Sequence, residues 1–198
     1  MAGVKAGYES PAGDGRVMRL RFTTALQVFE AFPRAYEDVE QKPSTASPLA
    51  FVKLLEASQT PEDAVGFCAY LLPRREAVGW ACECLRRMNP ELTPDSLRLI
   101  EIAEAWFQSP GEESRKAALD AGMAAVSSGP AAWVALAAGW SGGSLIGEPN
   151  QPVPPPPHLT AQAVRAAILT SLAMLPVKSR RDQLTAAIQA VLRLIEQE

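Results

Sequence analysis

An all-α fold follows from three features of this 198-residue sequence. Apolar residues recur at helical spacing along most of the chain, and no alternating β-branched run occurs. Helix-start punctuation is regular: Ser47-Pro48, Thr60-Pro61, Thr93-Pro94 and Ser109-Pro110 each place a capping hydroxyl before a proline at the first helical position. Finally, Pro130–Gly139 has no polar side chain from Ala131 to Ala138, so a helix there must be covered on every side. At ~1.5 Å per residue it spans about 15 Å, half of a bilayer's hydrocarbon core. It is therefore expected to be the central helix of a soluble domain, with Trp133 supplying core bulk. The whole is expected to be a compact single-domain bundle, or a short solenoid-like stack, of about nine helices.

Taken in order, Met1–Arg21 is Gly-rich and polar with no apolar h-region, which predicts a disordered tail rather than a secretory signal. A single domain over residues 22–198 follows, long enough to bury roughly 70% of the surface its unfolded chain exposes. Thr24–Ala31 forms a first helix with Leu26 and Phe29 inward, and Pro33–Ser47 reads as a polar loop. Pro48–Ala57 turns Phe51, Val52 and Leu55 inward; Pro61–Leu72 carries the stripe Ala64, Cys68, Leu71 and Leu72. Pro73–Met88 has two apolar strips, Val78, Ala81, Cys82 and Leu85 beside Ala77, Trp80 and Cys84, and so lies between two layers. Pro94–Gln108 buries Leu99, Ile102, Ala103 and Trp106. Pro110–Ser127 follows, with the stripe Leu119, Met123 and Val126 and with Glu112, Lys116 and Asp120 spaced for i,i+4 pairs. After the central helix, the prolines of Gly147–His158 impose an extended run, a proline-rich loop over 147–159. Leu159–Leu175 buries Val164, Ile168, Ser171, Leu172 and Leu175, and Lys178–Glu196 buries Leu184, Ile188, Val191, Leu192 and Ile195.

Composition narrows the function classes. A net charge of −3 argues against a nucleic-acid binder that works by neutralising phosphates. Three cysteines, an odd number in a fold that needs no staples, fit reduced thiols in a cytoplasm. The weakly charged stretch Ala121–Ile146 raises a membrane-active effector as a possibility, but Gly129-Pro130 and Gly142-Gly143 interrupt it before a span is reached.

No residue set amounts to an active site, and no catalytic, cofactor-binding or metal-binding residue is assigned. Cys82 and Cys84 stand about 200° apart around a helix axis, so they cannot share one metal ion. His158, the only histidine, ends the proline run just before a helix start, a position suited to packing or capping. Arg74-Arg75-Glu76 opens a helix, and two arginines there oppose its dipole. Such a placement marks either a binding patch or a cluster paired within the fold. The glycines of Trp140-Ser141-Gly142-Gly143-Ser144 follow a helix rather than precede one, which makes them a C-cap and not a phosphate cradle. The run Pro152, Pro154, Pro155, Pro156 and Pro157 is either a ligand for an aromatic-lined groove or a stiff strap across the last helices.

Several of these stretches resemble a family of small bacterial helical proteins that has no assigned activity. They are Leu71-Leu72-Pro73-Arg74-Arg75-Glu76-Ala77-Val78-Gly79-Trp80, Ala105-Trp106, Ala131-Ala132-Trp133, Trp140-Ser141-Gly142-Gly143-Ser144, and Pro154 through Pro157 followed by His158-Leu159-Thr160. The resemblance covers about Arg21 to Ile195. It implies a setting, since members tend to be encoded near type VI secretion genes, and it supplies no catalytic residues. The expectation is a non-enzymatic cytoplasmic adaptor or chaperone whose partner is a secretion component or effector. Its contacts would run through Arg74, Arg75, Glu76, Pro152, Pro154–Pro157 and His158. The alternatives are an enzyme with its site at Arg74, Arg75, Glu76 and His158, or a membrane-active secreted effector.

Overall fold

Thr24 opens the first helix, α1 (Ala25–Ala31), with a reciprocal capping box: its hydroxyl accepts from Gln27 N at 3.4 Å, and Gln27 Oε1 accepts from Thr24 N at 3.3 Å. The computed structural model describes residues 20–125, 129–145 and 153–196. Among these it has ten helices and no strand, so the chain is all-α. After α1 come α2 (Ala35–Asp38), α3 (Pro48–Glu56), α4 (Asp63–Leu71), α5 (Arg74–Met88) and α6 (Pro94–Gln108). The remainder is α7 (Glu112–Ala124), α8 (Pro130–Gly139), α9 (Leu159–Met174) and α10 (Val177–Glu196).

The hydroxyl–proline signals act in two ways. Ser47 and Thr93 cap α3 and α6, accepting from Ala50 N at 3.3 Å and from Ser96 N at 3.2 Å. Thr60 and Ser109 do not cap. Thr60 Oγ1 donates to Asp63 Oδ2 at 3.0 Å, residues 61–62 form a turn, and α4 starts later than expected. Ser109 closes α6 instead, and the start of α7 is held by Ser114 Oγ, which accepts from Gly111 N at 3.2 Å. The added helix is α2, a single turn inside the expected polar loop. Its Ala35 and the following Val39 are buried, so this segment covers core.

Two helices are central rather than one. In α8 every residue from Ala131 to Gly139 is buried except Trp133, which is partly buried and packs against the core from its edge. In α4 all nine residues are buried. The polar ones are satisfied: Asp63 accepts from Glu40 N at 2.9 Å, and Tyr70 Oη donates to Asp38 Oδ2 at 2.5 Å. Helices α5, α6, α7 and α9 surround α8; α2, α3, α9 and α10 surround α4. Helix α9 touches both, so one continuous apolar core runs from Phe22 to Ile195. The strips expected of α3, α5 and α10 are buried as read.

Four stripes differ in detail. On α9, Leu175 is the C-cap and only partly buried, while Val164, Ile168, Ser171 and Leu172 are buried as expected. On α1, Val28 replaces Leu26 as the buried partner of Phe29. On α6, Ile100 is buried while Ile102 is partly exposed. On α7, Met123 is 58% exposed and the buried side is Arg115, Ala118, Leu119 and Gly122; Val126 lies outside the described residues. The α7 stripe turns because α8 packs on small residues. A Cβ at Gly122 would meet Leu136 N at 2.9 Å, and one at Gly139 would meet Leu119 Cα at 2.6 Å. Each helix therefore presents a glycine notch to a leucine of the other.

Arg115 lies buried at this contact. Its Nη1 donates to Gly139 O at 2.5 Å, and its Nε and Nη2 donate to the exposed Glu112 carboxylate at 2.7 and 2.6 Å. Glu112 thus pairs at i+3 rather than with Lys116, which pairs with Asp120. Arg115→Met keeps much of the buried stem and deprives the Gly139 carbonyl of its donor. The expected loss is about 1–3 kcal/mol, read as a lower urea midpoint at constant slope.

Candidate functional site

The two arginines that oppose the dipole of their own helix complement those of others. Arg74 Nη1 donates to Ser141 O at 2.6 Å in the turn after α8, and its Nη2 reaches Pro157 O at 3.5 Å. Arg75 Nε donates to Phe107 O at 2.6 Å and its Nη2 to Gln108 O at 3.3 Å, with the guanidinium 5.3 Å from the Phe107 ring centroid. The last carbonyls of a helix lack intrahelical donors and carry the negative end of its dipole, so a cation there is favourable. Arg180 repeats the device for α9, donating to Ala173 O at 2.8 Å and Leu175 O at 2.9 Å. Three stretches of the family resemblance therefore meet at one guanidinium: the start of α5, the turn after α8, and the proline run.

Beside that junction lies an open cleft of about 600 Å³. Phe22, Ala31 and Phe32 come from the α1 segment, Tyr70 to Leu72 from the end of α4, and Pro73 and Arg74 from the start of α5. Pro157 and Arg21 complete the rim. The walls are apolar and the charges are both positive. Arg21 is exposed and lies 4.5 Å above the Phe22 ring centroid and 5.5 Å from that of Phe32. Burial, and after it the charge of Arg21, holds the Arg74 guanidinium below the usual arginine range. The Tyr70 phenol is pushed well above its ordinary value by burial and by the hydrogen bond to Asp38. It is thus a fixed donor rather than a base. A second cleft of about 240 Å³ adjoins the first across Phe32 and Pro157, and His158, Arg34 and Glu37 line it.

Of the expected residues, Arg74 and Pro157 line the larger cleft and His158 the adjoining one. Arg75 lies at the end of α6, and the half-buried Glu76 lines neither cleft. In the proline run, residues 153–156 form neither helix nor strand. Pro155 is buried and Pro154, Pro156 and Pro157 are exposed, whereas Pro152 lies outside the described residues. The neck of this loop closes where Leu145 N donates to Val153 O at 2.8 Å and Val153 N to Ser144 Oγ at 2.9 Å. Gly143 takes φ +64°, but α8 ends at Gly139 and its C-cap is Trp140, so the expected glycine C-cap does not form and Gly143 turns the chain farther on. The expected tail lies outside the described residues as far as residue 19; Arg21 itself is packed on aromatic rings.

All three cysteines are buried free thiols, and burial pushes Cys84 up to about 12. Among the described residues no group of three His, Cys, Asp or Glu is placed to hold a metal ion, and no helix is long and apolar enough to cross a membrane. Sequence reading passed over the polar cluster beneath the cleft. Asp38 of α2 accepts from Tyr70 of α4 and from Gln162 of α9 at 3.4 Å, and lies 3.4 Å from Arg165 Nη1. The one signal was Asp38 between Tyr36 and Val39 in a stretch that reads as a polar loop. Arg21, Phe22 and Phe32 were missed as a group because they are separated in sequence from Arg74.

Fold and cleft together define an all-α protein with two enclosed helices and an aromatic-walled, arginine-rimmed groove on one side. The chain belongs to a family of unknown function (DUF6931), which matches residues 51–195. No curated protein and no solved structure matches it.

Proposed function

We propose that this is a non-enzymatic accessory protein, an adaptor or chaperone, that acts by protein–protein contact through the face formed by the cleft and the proline run. The observation that carries the reading is the ordered cleft itself. Its walls come from α1, α4, α5 and Pro157, so a partner meets a surface whose conformational entropy has already been spent. Pro157 lines it, and in the same run Pro154 and Pro156 are exposed while Pro155 is buried. The resemblance to bacterial proteins encoded near type VI secretion genes supports a secretion component or effector as partner, with the protein acting in the cytoplasm. An enzymatic site at Arg74, Arg75, Glu76 and His158 has less support, because Arg75 and Glu76 line neither the cleft that holds Arg74 nor the adjoining one that holds His158.

The test is affinity capture from the native host, with the wild type beside a variant whose Pro154–Pro157 segment is replaced by Gly and Ser. A secretion component recovered by the wild type and lost by a variant of unchanged melting temperature is the expected result. Recovery of no secretion component overturns the reading. If the variant melts many degrees lower and binding falls only in proportion to unfolding, the run is a strap and the interface lies elsewhere.

A further inference from the structure

We propose that the cleft bounded by α1, α4 and α5 takes an acidic–apolar peptide segment of a partner, seating an apolar side chain against Phe22, Phe32 and Leu72 with a neighbouring carboxylate between Arg21 and Arg74. This rests on the protein–protein reading above and names the chemistry of what is bound.

Charge complementarity is the first argument. The described residues that line the larger cleft include two guanidinium groups and no carboxylate. Arg21 is exposed and lies over two aromatic rings, and the hydrogen bonds of Arg74 to the described residues go to neutral carbonyls. The influence of Arg21 on Arg74 is repulsive, so two like charges are kept near one another over an apolar floor. An anion entering between them relieves that repulsion and gains charge-assisted hydrogen bonds. The nearby carboxylate of Asp38 does not serve, because Tyr70, Gln162 and Arg165 already occupy it.

Shape is the second argument. The two clefts share Ala31, Phe32 and Pro157, so the concavity continues from one into the other across those residues. Two adjoining clefts suit an extended chain with a side chain in each. Beyond it, Arg34 is paired with Glu37, so the charge left for recognition is concentrated at Arg21 and Arg74. Apolar contact supplies most of the affinity, and the arginines set orientation and salt dependence.

The probe is a fluorescein-labelled peptide containing the block Glu-Phe-Glu-Leu, titrated by fluorescence polarisation against the full chain. Its counterparts carry Lys or Gln for Glu. The acidic peptide is expected to bind at least about tenfold tighter than the Lys peptide, and less tightly as salt rises. Arg21→Glu, an exposed change, is expected to weaken it about tenfold with the melting temperature unchanged. Arg98→Glu, which makes the same net-charge change at a separate cleft, is expected to leave binding intact. Equal binding of the Glu and Lys peptides, or equal losses in the two charge variants, overturns the proposal. So does binding to phosphatidylglycerol-containing vesicles without binding to the peptide. If the peptide fails while the proline-dependent capture of a secretion component persists, only this inference falls. If the peptide binds and no secretion component is captured, the functional setting falls and the site stands.

Discussion

Trp80→Ala is expected to lower the unfolding free energy by about 3–5 kcal/mol, the usual range for emptying a large aromatic from a core. Trp80 is 2% exposed on α5, and its Nε1 donates to Ala187 O of α10 at 3.0 Å. The substitution removes both the side-chain volume and the bond that ties α5 to the last helix. Against a typical domain stability of ~5–15 kcal/mol the loss is large. Urea melts at unchanged slope read it directly, with Trp133→Ala as the comparison. Because Trp133 covers the edge of α8 and is partly exposed, its loss is expected to be smaller. A loss below about 1 kcal/mol at Trp80 would mean that α10 is not part of the cooperative core.

Gly139→Ala is expected to destabilise by about 1–3 kcal/mol, opposite in sign to helix propensity. In an exposed helix interior the same change gains up to about 1 kcal/mol, since alanine restricts the unfolded chain and favours the helix. At Gly139 the added Cβ would lie 2.6 Å from Leu119 Cα and 2.8 Å from Leu119 N. Those atoms belong to the backbone of α7 and cannot turn aside, so α7 and α8 must separate. Gly79 provides the contrast, because its added Cβ would meet the Phe107 ring, a side chain able to rotate. Thermal melts of the two variants measure the difference, and a Gly139→Ala protein as stable as the wild type would show that the α7–α8 approach is looser than the structure has it.

The all-apolar run Ala131–Ala138 and the stripe Leu184, Ile188, Val191, Leu192 and Ile195 were legible because periodicity reports burial when only one solution exists. Helix positions were legible for a related reason: a proline can start a helix but not continue one. What was lost was the short helix α2 and the capping partner at two of the four hydroxyl–proline pairs. Thr60 and Ser109 carry the same hydroxyl–proline pair as Ser47 and Thr93, yet their ends are held by Asp63 and Ser114. Several local bonds of similar energy compete at a helix end, and surrounding contacts choose among them.

Sequence alone settled the fold class and most helix limits, together with the anomaly at Arg74 and Arg75, since these depend on residues near one another in the chain. Tertiary structure decided the rest. Helix α4 looks one-sided in sequence because Asp63, Gly66 and Tyr70 interrupt its apolar pattern, yet it is enclosed, because Glu40, Thr60 and Asp38 satisfy its polar groups from outside. The Arg74 junction joins Ser141 and Pro157 to α5, and the cleft brings Arg21 and Phe32 beside Leu72. No local pattern encodes such meetings. They exist because burying the apolar faces of the other helices around α4 and α8 leaves the ends of α5, α8 and the proline run in one place, where a single guanidinium can serve carbonyls from two of them.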